Sequence, residues 1–146
     1  LSLGQASGEE LAHHLSDNNS WWRMTAQQLL VTRKDLSVVD TLEEMVMHSN
    51  ALGRLHALWT LDGLGALKIE TIEKALLDPK AGIRRNAIRI SEKYIDQSEN
   101  KDLVPALYSM ADDTSAKVRF QLLSTLGYLT SEKAWQIEEN IASGCC

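Results

Sequence analysis

The histidines are the side chains of this sequence best suited to binding a metal, and their spacing forms no ligand set. His13 and His14 are adjacent, so on a helix their side chains point about 100° apart, and His48 and His56 stand alone. No histidine is followed by a glutamate, so the sequence has no repeated His-Glu pair that could hold two metal ions. The sequence therefore predicts no metal site.

Other residue patterns that could support catalysis or cofactor binding are equally weak. Cys145 and Cys146 are vicinal at the end of the chain, so they cannot join distant parts of a fold by a disulfide. The Gly63-Leu64-Gly65 string has no strand before it, so it reads as a helix stop and not as a dinucleotide-binding loop. No nucleophile, base and orienting group can be assembled from the pattern. We predict no catalytic residue and no cofactor.

A different pattern, a polar turn residue followed six positions later by arginine, recurs along the whole chain. Successive arginines advance by 31, 30 and 35 positions, which is the period of helix-pair repeats. A short carboxylate at the turn can accept N–H groups at the start of the second helix, and the arginine can reach back or reach the next turn. We call these residues the ladder and expect a looser joint where His48 replaces the acid. The ladder comprises Asp17 with Arg23, Arg54, Asp78 with Arg84, and Asp113 with Arg119.

The apolar residues follow the same register, which predicts an all-α fold. Pairs of apolar residues at i and i+4 precede each turn, as on one face of a first helix, and a mostly small residue three positions after each arginine lets a second helix pack closely. The i, i+4 pairs are Leu11 and Leu15, Leu42 and Val46, Ile72 and Leu76, and Leu107 and Ala111; the later positions are Ala26, Ala57, Ala87 and Leu122. We predict one domain over 1–146, an α-solenoid of about four helix pairs with repeats at about 7–35, 36–67, 68–97 and 98–130, plus a partial or capping helix at 131–142.

Helix boundaries follow from capping signals. Ser7 and Glu10 are spaced as a capping box, Ser20 is the predicted cap of the next helix, and Thr41 with Glu44 repeats the capping-box spacing. The central apolar segment at 50–67 should end at Gly63 and Gly65. Besides this central helix, the predicted helices cover about 8–15, 20–33, 39–48, 68–77, 82–95, 103–111 and 115–129.

Composition and charge exclude some partners. The formal net charge of the 146 residues is -5, which disfavours generic binding to nucleic acid or to an anionic membrane surface. No apolar run approaches the roughly 18 residues that cross a bilayer, so we predict no membrane insertion. Because the first residue is Leu and no signal-like segment precedes the repeats, we expect a processed product or an excised domain.

The repeats resemble HEAT repeats, and two strings carry a narrower resemblance. NNSWWRMTAQQLLVTR at 18–33 and GRLHALWTLDGLGALK at 53–68 resemble the HEAT segment of putative membrane-bound dehydrogenases of planctomycetes, verrucomicrobia and bacteroidetes. In that family the segment lies between a sorbosone-dehydrogenase-like propeller and a c-type cytochrome domain. The resemblance implies a non-catalytic spacer or docking module of an exported or periplasmic oxidoreductase. The Cys-x-x-Cys-His haem motif of those proteins is absent here.

The residues one and five positions after each arginine lie opposite the apolar face and are unusually apolar for a solvated surface. One interpretation is a continuous concave surface that binds a protein partner or a flanking domain; the other is that Leu55, Trp59 and Phe120 fill seams between repeats. Trp21, which lies opposite the core-facing Trp22, either docks a preceding domain or covers the first repeat. The candidate partner-binding residues are Trp21, Gln28, Leu55, Trp59, Arg85, Arg89 and Phe120.

An enzyme or nucleic-acid-binding module, in the manner of HEAT-like DNA glycosylases or bilin lyases, is the alternative function. It would need Trp59 and Asp62 to converge with Arg85 and Arg89 on one pocket. The basic residues of 80–93 are confined to one repeat, and a solvated helix face explains them more simply. The sequence therefore favours an interaction or spacer module.

Overall fold

The structure, a computed structural model, describes residues 2–95 and 102–127. Within those residues the chain is all-α, as predicted, with no strand. Short 3-10 segments occur at Leu3–Gln5, Leu36–Val38 and Ser109–Asp112. The α-helices are α1 Gly8–His14, α2 Ser20–Arg33, α3 Val39–His48, α4 Ala51–Gly63, α5 Ile69–Leu76, α6 Ala81–Ser91, α7 Leu103–Tyr108 and α8 Ala116–Leu126.

The chain divides into two compact units, Leu1–Thr71 and Ile72–Cys146, and α5 spans the boundary between them. In the first unit α1 packs against α2, α3 packs against α4, and α2 also lies alongside α4. The predicted first-helix pairs are buried there, and Ala26 and Ala57 are fully inaccessible to solvent. Small side chains at these two positions let the second helices approach their neighbours closely.

The second unit has its own core, in which α6 packs against α8 and the Ser109–Asp112 segment packs on α8. The predicted pairing of Leu107 with Ala111 is wrong, because Met110 is the buried partner and Ala111 is half-buried. The chain tightens into a 3-10 helix after Tyr108, so the residue three positions after Leu107 faces the core. Other buried residues of this unit include Ile83, Ala87, Ile88, Val118, Leu122 and Leu126.

Of the three predicted helix caps, the capping box at Ser7 is confirmed, and the caps at Ser20 and Thr41 are wrong. The capping box of α1 is confirmed: the Ser7 amide donates to Glu10 at 2.7 Å and the Glu10 amide donates to the Ser7 hydroxyl at 3.3 Å. The prediction for Ser20 is wrong, because the Asn19 side chain accepts from the Trp21 amide at 2.9 Å and Ser20 is the first helical residue.

The predicted capping box at Thr41 is also wrong. The segment Leu36–Val38 runs directly into α3, and Val38 precedes the helix without a side-chain cap. Thr41 instead donates its hydroxyl to Glu9 at 2.9 Å, which joins α3 to α1. The Thr41 hydroxyl, which the local pattern assigned to a helix cap, therefore makes a tertiary hydrogen bond instead.

The remaining boundaries lie close to prediction. Helix α4 ends at Gly63, and Gly65 has a φ of 68°, the left-handed conformation that glycine adopts freely. Helix α6 ends at Ser91, four residues earlier than predicted, and turns follow it. The predicted segment 131–142 lies outside the described residues.

Candidate partner-binding groove

A groove of about 660 Å³ runs between α2 and α4 in the first unit. Its walls come from residues at helical spacing, one stripe from α2 and the last turns of α4. The opposite face of α2, at Ala26 and Leu30, is buried. The lining residues are Trp21, Met24, Thr25, Gln27, Gln28, Val31 and Thr32 from α2, with Trp59, Asp62 and Gly63 from α4.

Gly63 sets how closely the two walls approach. A Cβ placed on Gly63 would lie 2.7 Å from Cγ2 of Val31, closer than van der Waals contact allows. The absence of a side chain therefore permits α4 to lie against α2 at this level. The sequence pattern assigned Gly63 only to the end of the helix.

Trp21 is exposed, and neighbouring rings hold it in place. Its side chain is 60% exposed, yet its ring meets that of Trp22 edge to face, with centroids 5.4 Å apart. The Trp22 ring stacks on the His14 ring at 4.9 Å, and Nδ1 of His14 lies 3.6 Å from a carboxylate oxygen of Asp17. A supported, exposed indole loses little conformational entropy when it is covered by a partner.

A polar cluster at His56 joins α2 to α4 beside the groove. Nε of Arg23 donates to Nε2 of His56 at 3.3 Å, which leaves Nδ1–H of His56 to donate to Oε1 of Gln27 at 2.7 Å. Burial lowers the pKa of His56, and the positive charge of Arg23 lowers it further. The contact with Arg23 therefore requires the neutral imidazole, because a protonated Nε2 cannot accept a hydrogen bond.

Three of the predicted partner-binding residues come together in this groove: Trp21, Gln28 and Trp59. Leu55 is half-buried on α4 and is not part of the lining. The other candidates, Arg85, Arg89 and Phe120, belong to the second unit and are exposed.

Phe120 lies on a second apolar surface. Its side chain is 72% exposed, and Leu123, one turn later on α8, is 38% exposed. Of the residues named for an enzyme pocket, Trp59 and Asp62 share the groove, and Arg85 and Arg89 lie on α6 of the second unit.

Sequence reasoning missed several lining residues, among them Gln27, Val31 and Thr32. The helical period places them on the α2 stripe that contains Trp21, Met24 and Gln28, so the period alone carried a signal for them. The helical period does not predict which residues of that stripe lie beside α4, because this depends on how the two helices pack.

The ladder arginines lie over the turns that precede their helices. In each, Nη1 donates to a main-chain carbonyl of the turn. Arg54 bonds Ser49, one residue after His48, at 2.9 Å. The other contacts are Arg23 to Asp17 at 2.6 Å, Arg84 to Asp78 at 2.8 Å and Arg119 to Asp113 at 2.5 Å.

The ladder carboxylates fold back on the chain. Asp17, Asp78 and Asp113 each accept a hydrogen bond at 2.8 Å from the amide two residues later. Arg84 also binds both carboxylate oxygens of Asp113, through Nε at 2.7 Å and Nη2 at 2.9 Å. These hydrogen bonds from Arg84 hold the pKa of Asp113 below its usual value.

Residues 2–95 and 102–127 contain no group of three His, Cys, Asp or Glu side chains placed to hold a metal ion. Among its helices, none is both long and apolar enough to cross a membrane.

Compared with models of known protein families and with curated proteins, the sequence gives no match. The geometry of the groove is therefore the basis for assigning a function.

Proposed function

We propose that this chain is a non-catalytic protein-interaction module, an α-solenoid of HEAT-like helix pairs that binds its partner through the groove between α2 and α4. The observation that carries the proposal is the indole of Trp21, which is exposed on the groove that Trp59 also lines. Exposed tryptophans held in a concave, mostly apolar surface are typical centres of binding energy.

The solenoid part of the proposal is supported by the way two successive helix pairs are arranged in the first unit. Helix α1 packs on α2 and α3 packs on α4, while the two second helices lie side by side. Each ladder arginine donates to a main-chain carbonyl five or six residues before it, in the turn that precedes its helix. Such repetition is the signature of stacked helix pairs.

The groove proposal is tested by capture of a partner with the full chain as bait. Flanking domains of the parent protein, expressed separately, are the first partners to offer, and Trp21→Ala and Trp59→Ala are the test variants. We expect each variant to weaken capture by about tenfold or more, in the range of a hot-spot truncation. Leu36→Ala is the control, because Leu36 is also 60% exposed but lies outside the groove.

The same experiment separates an interaction module from a passive spacer. If no flanking domain is captured, or if both tryptophan variants capture as well as the unmodified chain, the groove is not the binding surface. A spacer that only separates its neighbours would give the first result.

We further propose that the module belongs to a larger exported oxidoreductase, on the strength of the two strings at 18–33 and 53–68 that resemble dehydrogenase-associated HEAT segments. The reading frame that encodes this chain provides the test. A propeller domain or a Cys-x-x-Cys-His haem domain encoded in the same frame is the expected result, and a frame without either would refute the assignment.

A further inference from the structure

We propose that the groove between α2 and α4 takes a peptide segment in which an arginine or lysine side chain stands beside apolar residues. This inference rests on the proposed function of the groove and names the chemistry of its partner. It follows from the charges of the first unit and from the type of side chain that lines the groove.

The charge balance of the first unit favours a cationic partner. Residues 1–71 hold nine Asp and Glu against five Lys and Arg, a formal net charge of -4. Opposite charge on a partner raises the rate of association and disfavours acidic competitors.

Most cations of that unit are also bound to groups of the unit itself. Four of the five donate to acceptors within the unit itself. Arg23 binds the carbonyls of Asp17 and Asn18, Arg33 those of Gly4 and Ala6, Arg54 that of Ser49, and Lys68 the carboxylate of Glu43.

The lining of the groove suits a cation on an apolar stem. Asp62 is the single Asp, Glu, Lys, Arg or His side chain among the ten lining residues, and it is acidic. It is only 8% exposed, so its charge is poorly screened by solvent. Trp59, three residues earlier on α4, and Trp21 on α2 add indole rings, whose faces attract cations.

The polar neutral groups complete the fit. Gln27, Gln28, Thr25 and Thr32 can hydrogen-bond the main chain of an extended peptide. Met24 and Val31 provide apolar contact for the stem of the cationic residue and for its neighbours. An acidic peptide or nucleic acid would instead bring negative charge towards Asp62.

Panning a phage-displayed library of random dodecapeptides against the intact chain tests the inference. Selected peptides whose binding depends on Trp21 or Trp59 should be rich in Arg or Lys next to apolar residues. Replacing the key arginine of a selected peptide by citrulline, which keeps the shape and removes the charge, should weaken binding about tenfold, as expected for loss of a charge-assisted contact.

A protein-side variant adds an independent measurement. Asp62→Asn should weaken binding of the same peptides and reduce the salt dependence of their Kd, whereas Glu44→Gln, at an exposed acid of α3, should change neither. If Asp62→Asn does not fold, the citrulline comparison stands, because it uses the unmodified chain.

The outcomes distinguish the two proposals. Peptides that require Trp21 or Trp59 but bind equally well with citrulline, or peptides that are acidic, overturn the cationic partner and leave the groove as a binding surface. If no selected peptide depends on either tryptophan, the groove itself is excluded and both proposals fail.

Discussion

The guanidinium of Arg84 joins two turns of the second unit. It donates to the carbonyls of Asp78 and Pro79 and binds both oxygens of Asp113, and the side chains of Arg84 and Asp113 are 13% and 6% exposed. Removing one member of such a pair leaves the other charged and poorly solvated.

Arg84→Ala should therefore lower the free energy of unfolding by about 2–4 kcal/mol, which discounts a fully buried pair for its residual exposure. Urea unfolding followed by circular dichroism measures the loss. Arg85→Ala is the matched control, because Arg85 is the next residue of α6 and is exposed. Equal stability of the two variants would mean that the Arg84 contacts contribute nothing net.

His56 makes the stability of the first unit depend on pH. Its folded-state pKa is lowered from 6.5, first by burial and then by Arg23, so the unfolded chain binds a proton more readily than the folded one. The contribution of the neutral ring is complete above pH 6.5 and is lost as the pH falls from 6.5 towards the lower, folded-state pKa.

The free energy of unfolding should thus fall more steeply for the unmodified chain than for His56→Gln between pH 7.5 and pH 5.5. This window brackets the usual His pKa of about 6.5. His13→Gln, at an exposed histidine of α1, should keep the steep slope. Parallel slopes for the unmodified chain and His56→Gln would show that the imidazole does not sense pH.

Among the helices, the contact of α2 with α4 depends on Gly63. Gly63→Ala should destabilise the chain by about 1–3 kcal/mol, because the new methyl group would meet Val31 and force the helices apart. The double variant Val31→Ala with Gly63→Ala should recover part of that loss, and a thermal melt of each variant measures it.

At Gly82 the same substitution, glycine to alanine, should stabilise the chain. Nothing lies within 4 Å of a Cβ built there on α6, so Gly82→Ala should stabilise by about 0.4–1 kcal/mol through the lower entropy of the unfolded chain. A stabilising Gly63→Ala would show that α4 can move away from α2 without loss.

How far the sequence predicts these elements depends on whether the decisive contact is local. Ser7 and Glu10 lie three residues apart and form the predicted capping box, a contact made within one helix end. Thr41 has the same spacing to Glu44, yet its hydroxyl bonds Glu9 on another helix. A pattern within one helix contains no information about that neighbour.

The lining of the groove is likewise predicted only where it depends on the register within one helix. The register counted from each arginine selects Gln28 and Trp59, since it identifies the face of the second helices that turns away from the core. Trp21 follows from the same helical period, because it lies opposite the core-facing Trp22. It does not select Val31 or Gly63, because their role comes from the level at which α4 meets α2.

For the molecule as a whole, the two units predict how stability is distributed. Each unit buries its own set of apolar residues. In the solenoid proposed above, stability would be close to a sum of contributions from each helix pair and its nearest neighbours. A local defect should therefore loosen the helices near it more than those of the other unit.

Native-state hydrogen exchange tests that distribution with two variants already named. Arg84→Ala should accelerate exchange in α6 and α8 more than in α2 and α4, and Gly63→Ala should do the reverse, because each change weakens contacts within one unit. If both variants accelerate exchange equally in all four helices, the chain unfolds as one cooperative body. That result would count against a solenoid of semi-independent pairs and favour a single globular core.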